Sequence, residues 1–231
     1  MTRRLSIIAA PVAASALSLC APQAAAQTHY AAQLSVGAKA GMDISRNFFN
    51  PSVDQTFKPG ALAGVAFRYV EEDHFGIIAE LEWIQRGWKE SFEDAPYLYE
   101  RTLSYLEIPV LAHIYFGRRA KFYANIGPLI GLRIGDSVKC NFDTHDTAAL
   151  PDFPKWHSLT QYDEPIKQRI DYGICAGVGG EYSITPRHSM TVECRFYYGL
   201  GNLFGSTRKD NFNASNSMAL EFTLGYWLRL R

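Results

Sequence analysis

The sequence predicts an all-β fold: an eight-stranded antiparallel up-and-down transmembrane β-barrel, preceded by a cleaved signal peptide. Three observations carry this. Period-two alternation recurs in eight segments, each with an aliphatic and aromatic face and a second face of charge, glycine and phenol. Short and long connections alternate between those segments. Beyond the N-terminal leader, no apolar run reaches the ~18 residues a transmembrane helix needs, so any crossing is made by strands. A charged second face does not suit the core of a soluble sandwich. A barrel wall with lipid outside and a polar interior calls for it.

At the start of the chain, Arg3 and Arg4 precede an apolar run from Leu5 to Leu19, and Ala24-Ala25-Ala26 offers small residues for cleavage before Gln27. This is the pattern of a secretory signal peptide over residues 1–26, too short and too poorly flanked for a retained helix. Cys20 follows Leu19, which is large where a lipoprotein signal has a small residue, so the cysteine reads as part of a discarded segment. Residues 27–231 make one domain of ordinary size, the barrel itself, with no Pro- or Ser-rich linker to split it. The leader takes two of the 23 basic residues and none of the 23 acidic ones, leaving a mature charge of about −2. Nothing in that balance announces nucleic acid or a polybasic membrane surface. Cys140, Cys175 and Cys194 are too few and too scattered for a disulfide framework and are expected to be free.

The first strand, residues 34–44, sets Leu34, Val36, Ala38, Ala40, Met42 and Ile44 against Ser35, Gly37, Lys39, Gly41 and Asp43. A loop is expected over 46–58 from its Asn and Pro content. The second strand, 59–70, ends at the acidic turn Glu71-Glu72-Asp73, and the third, 75–86, carries Glu80, Glu82 and Arg86 on its polar face. After a loop over 87–100, the fourth strand puts Leu106, Ile108, Val110, Ile114 and Phe116 outward, with Tyr105, Glu107, Pro109, His113 and Tyr115 inward. A short polar turn leads to the fifth, where Phe122, Ala124, Ile126, Ile130, Leu132 and Ile134 alternate with Lys121, Tyr123, Asn125, Gly127, Gly131 and Arg133. The longest loop is expected over 136–168. The sixth strand (170–184) and seventh (from about 190) follow, joined at Thr185-Pro186-Arg187-His188, then a loop over 200–216 and the last strand from 217. In an outer-membrane barrel the short turns face the periplasm and the long loops face outside.

Facing residues of a hairpin share a face, so turn length and pattern must agree. Pairing Tyr69 with Phe75, Phe116 with Phe122 and Ile184 with Met190 satisfies all three short turns with one length. Those ends place Tyr69, Phe75, Phe116, Phe122 and Tyr182 in an aromatic girdle at the periplasmic interface, with Trp83 and Trp88 at the outer one. The same register sets Glu107 opposite Gly131 and diagonal to Arg133, Glu181 opposite Glu193 and diagonal to Arg195, and Cys194 opposite Gly180.

The run Tyr105-Leu106-Glu107-Ile108-Pro109 followed by Tyr115-Phe116-Gly117 resembles the central signature of the PorT-like outer-membrane β-barrel family. Gly37-x-Lys39-x-Gly41, Glu80-x-Glu82 leading to Arg86-Gly87, Gly127-Pro128 and Tyr197-Tyr198-Gly199-Leu200 match in order and spacing, covering about residues 34–231. The chain departs from the pattern at its end, Leu230-Arg231, where such barrels usually finish on an aromatic residue. The resemblance implies the fold and an outer-membrane location. Through the family's named member it also hints at a protein-secretion and gliding system.

An eight-stranded barrel is just wide enough for its own side chains. The inward charges, among them Lys39, Arg68, Glu80, Glu82, Glu107, Arg133, Glu181, Glu193, Arg195 and Glu221, must therefore pair, because an isolated buried charge is strongly disfavoured. They read as a salt-bridged plug rather than an ion path. A structural or interaction role follows: a surface scaffold, or an accessory to an envelope or secretion assembly. The expected partners are outer-membrane lipid and, through the long loops, an envelope protein or surface ligand, with no nucleic acid, no cofactor and a monomeric state. The competing class is a lipid-modifying enzyme, which needs a Ser–His pair beside an acid. Its candidates are His113 and the neighbours His157 and Ser158. A narrow pore is the third reading. Asp143, His145 and Asp146 form a metal-ligand triplet of the kind a polar loop produces by chance. Tyr97, Tyr99, Phe142, Phe153, Trp156 and Tyr162 make the loops aromatic, for surface recognition or loop packing.

Overall fold

A computed structural model describes residues 32–92, 95–146, 150, 151, 153, 154, 159–163, 165–204 and 212–230. The leader expected at 1–26 lies outside the described residues. Alternation produces strands β1 (Gln33–Asn50), β2 (Gln55–Thr56), β3 (Lys58–Glu72), β4 (Phe75–Glu90), β5 (Tyr99–Gly117), β6 (Ala120–Cys140), β7 (Ile170–Ser183), β8 (His188–Gly199) and β9 (Ala214–Arg229). One short helix, α1 (Thr160–Asp163), lies in the long connection between β6 and β7. All the pairings are antiparallel, and the eight long strands close into a ring in which β4 pairs with β5 and β1 with β9. The two-residue β2 pairs only with the top of β4.

The stagger of this ring can be read from its pairs. Stepping from Phe116 on β5 to each successive partner gives Phe122, Gly180, Val192, Leu224, Ala40, Ala63, Trp83 and finally Leu106, again on β5. One circuit therefore climbs from residue 116 to residue 106 of the same strand. With strands about 4.8 Å apart and a rise of about 3.3 Å per residue, that stagger tilts them by about 40°. It also places Tyr69, Phe75, Phe116, Phe122 and Tyr182 within about 4 Å of one height, and Trp83 about 20 Å above them. All six point outward and are exposed. Tyr172 and Tyr198 join Trp83 at the upper level, so the apolar belt matches the roughly 25 Å lipid-facing band of such walls. Trp88 does not belong to it: it points inward and is fully buried.

The strands outrun the belt. β1 continues to Asn50 and β3 begins at Lys58, so the loop expected over 46–58 is mostly strand. The loops expected over 87–100, 136–168 and 200–216 shrink likewise, because β4 runs to Glu90, β5 starts at Tyr99, β6 reaches Cys140 and β9 starts at Ala214. Above the membrane both faces meet water or loop, the alternation fades, and only backbone pairing marks the strand.

The expected register holds at the middle hairpin, where Phe116 faces Phe122 and Glu107 faces Gly131. It is off by two at the others. Tyr69 faces Ile77, because a tight turn with His74 at φ 74° pairs Glu72 with Phe75, three positions from the expected register, and a bulge between Val70 and Glu72 takes one position back. Tyr182 faces Met190, because β7 stops at Ser183 and Thr185 Oγ1 accepts the N–H groups of Arg187 and His188 in a wider turn. A two-residue slip keeps every side chain on its face. It does change neighbours: Glu181 faces Thr191 rather than Glu193, and Cys194 faces Val178 rather than Gly180. The three described cysteines, Cys140, Cys175 and Cys194, are free.

Gly87 sits at φ 156°, and a Cβ there would lie 1.9 Å from the carbonyl oxygen of Arg101. Its N–H donates to Ser45 Oγ at 3.1 Å, tying β4 to β1, the two strands that flank β3. We expect Gly87→Ala to lose about 1–3 kcal/mol of stability through backbone strain, read as a lower urea midpoint of the protein refolded in vesicles.

Candidate functional site: a filled lumen under an aromatic cap

Three layers of charge fill the lumen. At the periplasmic end, Arg68 on β3 donates across the barrel to both oxygens of Glu181 on β7, at 2.5 and 3.2 Å, and lies 4.4 Å over the Trp227 ring. Lys121 stands 3.7 Å from the same carboxylate. In the middle layer Arg195 on β8 reaches Glu80 at 2.7 Å and Glu82 at 3.2 Å on β4, and Glu193 at 2.9 Å. Lys39 bridges Glu80 at 2.8 Å and contacts Glu82. Charge-assisted pairs of this kind both stabilise the ions and fix geometry.

The upper layer is organised on Arg86, fully buried on β4. Its guanidinium forks onto Glu107 at 2.8 and 2.6 Å, reaches Glu221 at 3.1 Å, stands 3.9 Å from Asp171 and stacks 3.9 Å over Tyr197. Asp43, opposite Glu221 across the β1–β9 pair, is also buried here. One guanidinium thus serves several carboxylates.

Of the charges read as inward, Lys39, Arg68, Glu80, Glu82, Glu107, Glu181, Glu193, Arg195 and Glu221 are buried and Arg133 is half-buried, but the expected partners change. Arg133 does not approach Glu107; it sits higher, 3.4 Å from Asp136, and donates to the Ile166 carbonyl at 3.0 Å. Glu181 has no facing glutamate to repel it. Sequence reasoning placed Asn125 inward without a role, and it donates to Glu193 at 3.2 Å; it did not foresee the cluster of Phe49, Trp88, Phe204 and Phe212.

That cap closes the extracellular end. Phe49, Trp88, Phe204 and Phe212 form one aromatic cluster, with Phe49 edge-on to Trp88 at 5.3 Å and Phe204 stacked on Phe212 at 5.2 Å. Phe92, Tyr97, Phe142 and Phe153 form a second, and the Tyr97 hydroxyl donates to the Pro151 carbonyl. The loop aromatics are therefore packed on one another; Trp156 lies outside the described residues. Glu90 anchors α1 beneath them, accepting from Gln161 Nε2 at 3.1 Å and the Tyr162 hydroxyl at 2.7 Å. Burial, and then the Glu90 carboxylate, hold the Tyr162 phenol above its ordinary range, so it remains a donor.

Of the catalytic candidates, His113 is buried between Tyr115 and Tyr123, with Nδ1 2.7 Å from Asn125 Oδ1. His157 and Ser158 lie outside the described residues. In the metal candidate, the His145 N–H donates to Asp143 Oδ1 at 2.9 Å, a local turn bond. Among the described residues no three His, Cys, Asp or Glu side chains are placed to hold a metal.

The family described as outer membrane protein beta-barrel domain matches residues 25–205. The chain belongs to that family, and it is an outer-membrane protein. Among solved structures, OprG from Pseudomonas aeruginosa is 11% identical with a TM-score of 0.50, covering 88% of this chain and 98% of its own. Neisserial surface protein A is 12% identical with a TM-score of 0.44, covering 84% and 96%. Ail of Yersinia pestis, solved with the heparin analogue sucrose octasulfate, is 12% identical with a TM-score of 0.43, covering 85% and 99%. At these identities the likeness to OprG speaks for the fold alone. No curated protein matches the sequence significantly.

Proposed function

We propose that the protein is a monomeric, non-conducting and non-catalytic outer-membrane barrel that acts through its extracellular loops, as a surface scaffold or an accessory to an envelope or secretion assembly. Residues 1–26 serve as its cleaved signal peptide, and the 105–117 signature supports a place near the PorT-like branch. One observation carries the reading: side chains fill the lumen from the Arg68–Glu181 pair up to Trp88 and Tyr99. A plugged lumen leaves the loops and the outer wall as the working surfaces. His113, held by Asn125 among aromatic rings, supports a packing role over that of a catalytic base.

Two measurements test this. Reconstituted in planar bilayers, the protein is expected to give no conductance steps; stable open-channel current would overturn the plug. Cross-linking in intact cells should capture a defined envelope partner that is lost when the connection between β6 and β7 is shortened. Capture of no partner, together with altered lipid A in a deletion strain, would favour the lipid-modifying reading.

A further inference from the structure

The outer wall is not evenly convex. A groove of about 860 Å³ follows the row of paired residues that begins at Phe116 and Phe122 and continues through Gly180, Val192 and Leu224 to Ala40. Five strand spacings make it about 24 Å long, and the strand tilt raises it by about 15 Å, the depth of one leaflet of a ~30 Å hydrocarbon core. Gly180 lies within its lining and contributes no side chain to it. A Cβ built at Gly180 meets nothing nearer than the Lys121 carbonyl oxygen at 3.9 Å.

The low end of this track runs into the β5–β6 turn, which carries Arg118 and Arg119, both exposed. Arg119 lies 5.4 Å over the outward ring of Tyr182, and its carbonyl accepts the Ser183 N–H at 2.8 Å, so the turn is pinned beside β7. The β3–β4 turn is acidic instead, with Glu71, Glu72 and Asp73, so the basic end is local to this side of the barrel. An apolar track one leaflet deep, rising from two exposed arginines at the head-group level, complements an anionic phospholipid in shape and charge.

We propose that this groove binds one anionic phospholipid of the periplasmic leaflet, an acyl chain lying along the row and the phosphodiester held at Arg118 and Arg119. The end with the short turns faces the periplasm. The lipid is therefore a phospholipid of the inner leaflet rather than a glycolipid of the outer one. Basic groups at a membrane surface favour anionic lipid by about fivefold each.

The test uses the protein purified in mild detergent, incubated with phosphatidylglycerol or with phosphatidylethanolamine of the same acyl chains, and retained lipid counted by native mass spectrometry. The wild type should retain one phosphatidylglycerol in clear preference to phosphatidylethanolamine. Replacing both arginines (Arg118→Gln with Arg119→Gln) should remove the preference. Gly180→Leu, which fills the groove into open space, should remove retention of either lipid while the barrel stays folded, and Ala79→Leu, outward on β4 between Phe67 and Val110, neither of which lines the groove, should change nothing. Equal retention of the two lipids by the wild type would overturn the proposal. So would undiminished retention by Gly180→Leu, because the lipid would then be held by surface charge alone.

Discussion

Replacing Arg86 with methionine is expected to destabilise the barrel by about 3–5 kcal/mol, the range for removing one partner of a buried ion pair. The geometry puts this substitution at the upper end. Arg86 bonds Glu107 through two nitrogens and Glu221 through one, and it is the cation nearest Asp171. Removing it leaves Glu107 and Glu221 buried without the cation that pairs them. Arg195→Met makes a sharp comparison. Arg195 is equally buried, but Lys39 bridges the same Glu80 and Glu82, so one cation of that layer survives. Its loss should be clearly smaller. The readout is the urea midpoint of the protein refolded in vesicles, together with its heat-modifiable migration on gels. If charge is the cause, adding Glu107→Gln to Arg86→Met should recover part of the stability. If Arg86 acts only by packing, the double variant should be no better than the single one.

How far the sequence reached can be judged from the same residues. Lys39, Glu80, Glu107 and Arg195 were legible as inward because one face of each strand meets lipid and the other does not, and a period of two records that difference directly. Their partners were not legible. Arg68–Glu181 and Arg195–Glu80 span the barrel between strands that never pair, so they depend on the stagger of the whole ring. Local turns set part of that stagger: the tight turn and bulge between Val70 and Phe75, and the wide turn at Thr185, each shift a hairpin by two. The cluster of Phe49, Trp88, Phe204 and Phe212 was missed for a different reason. Phe49 and Trp88 lie above the belt, where outward positions turn polar and the pattern fades. Parity alone would have corrected Trp88, since it stands five residues from outward Trp83 and must face the other way.

Trp88 also supplies the second large effect, and it separates the two halves of the molecule. The indole is fully buried, edge-on to Phe49 at 5.3 Å and Phe204 at 6.2 Å, under Arg101 at 5.6 Å, with Nε1 3.4 Å from Glu90 Oε1. Trp88→Ala is expected to remove about 3–5 kcal/mol, the range for deleting a buried aromatic side chain and leaving a cavity. The loss should fall on the cap. Phe204 belongs to the β8–β9 connection and packs into the lumen chiefly against Phe49, Trp88 and Phe212, whereas the charged layers below keep all their pairs. Protease added outside intact cells should therefore nick the extracellular connections of the variant while the strands remain protected and heat-modifiable. Arg86→Met should instead lose both together. If Trp88→Ala unfolds the whole ring as Arg86→Met does, cap and barrel form one cooperative unit. If it leaves the connections as resistant as wild type, their order comes from the second cluster around Phe92 and Phe142. If the proposed loop-borne role holds, the expected outcome, loosened connections on an intact wall, would also abolish partner capture without removing the protein from the membrane, tying that role to the rigidity of the cap.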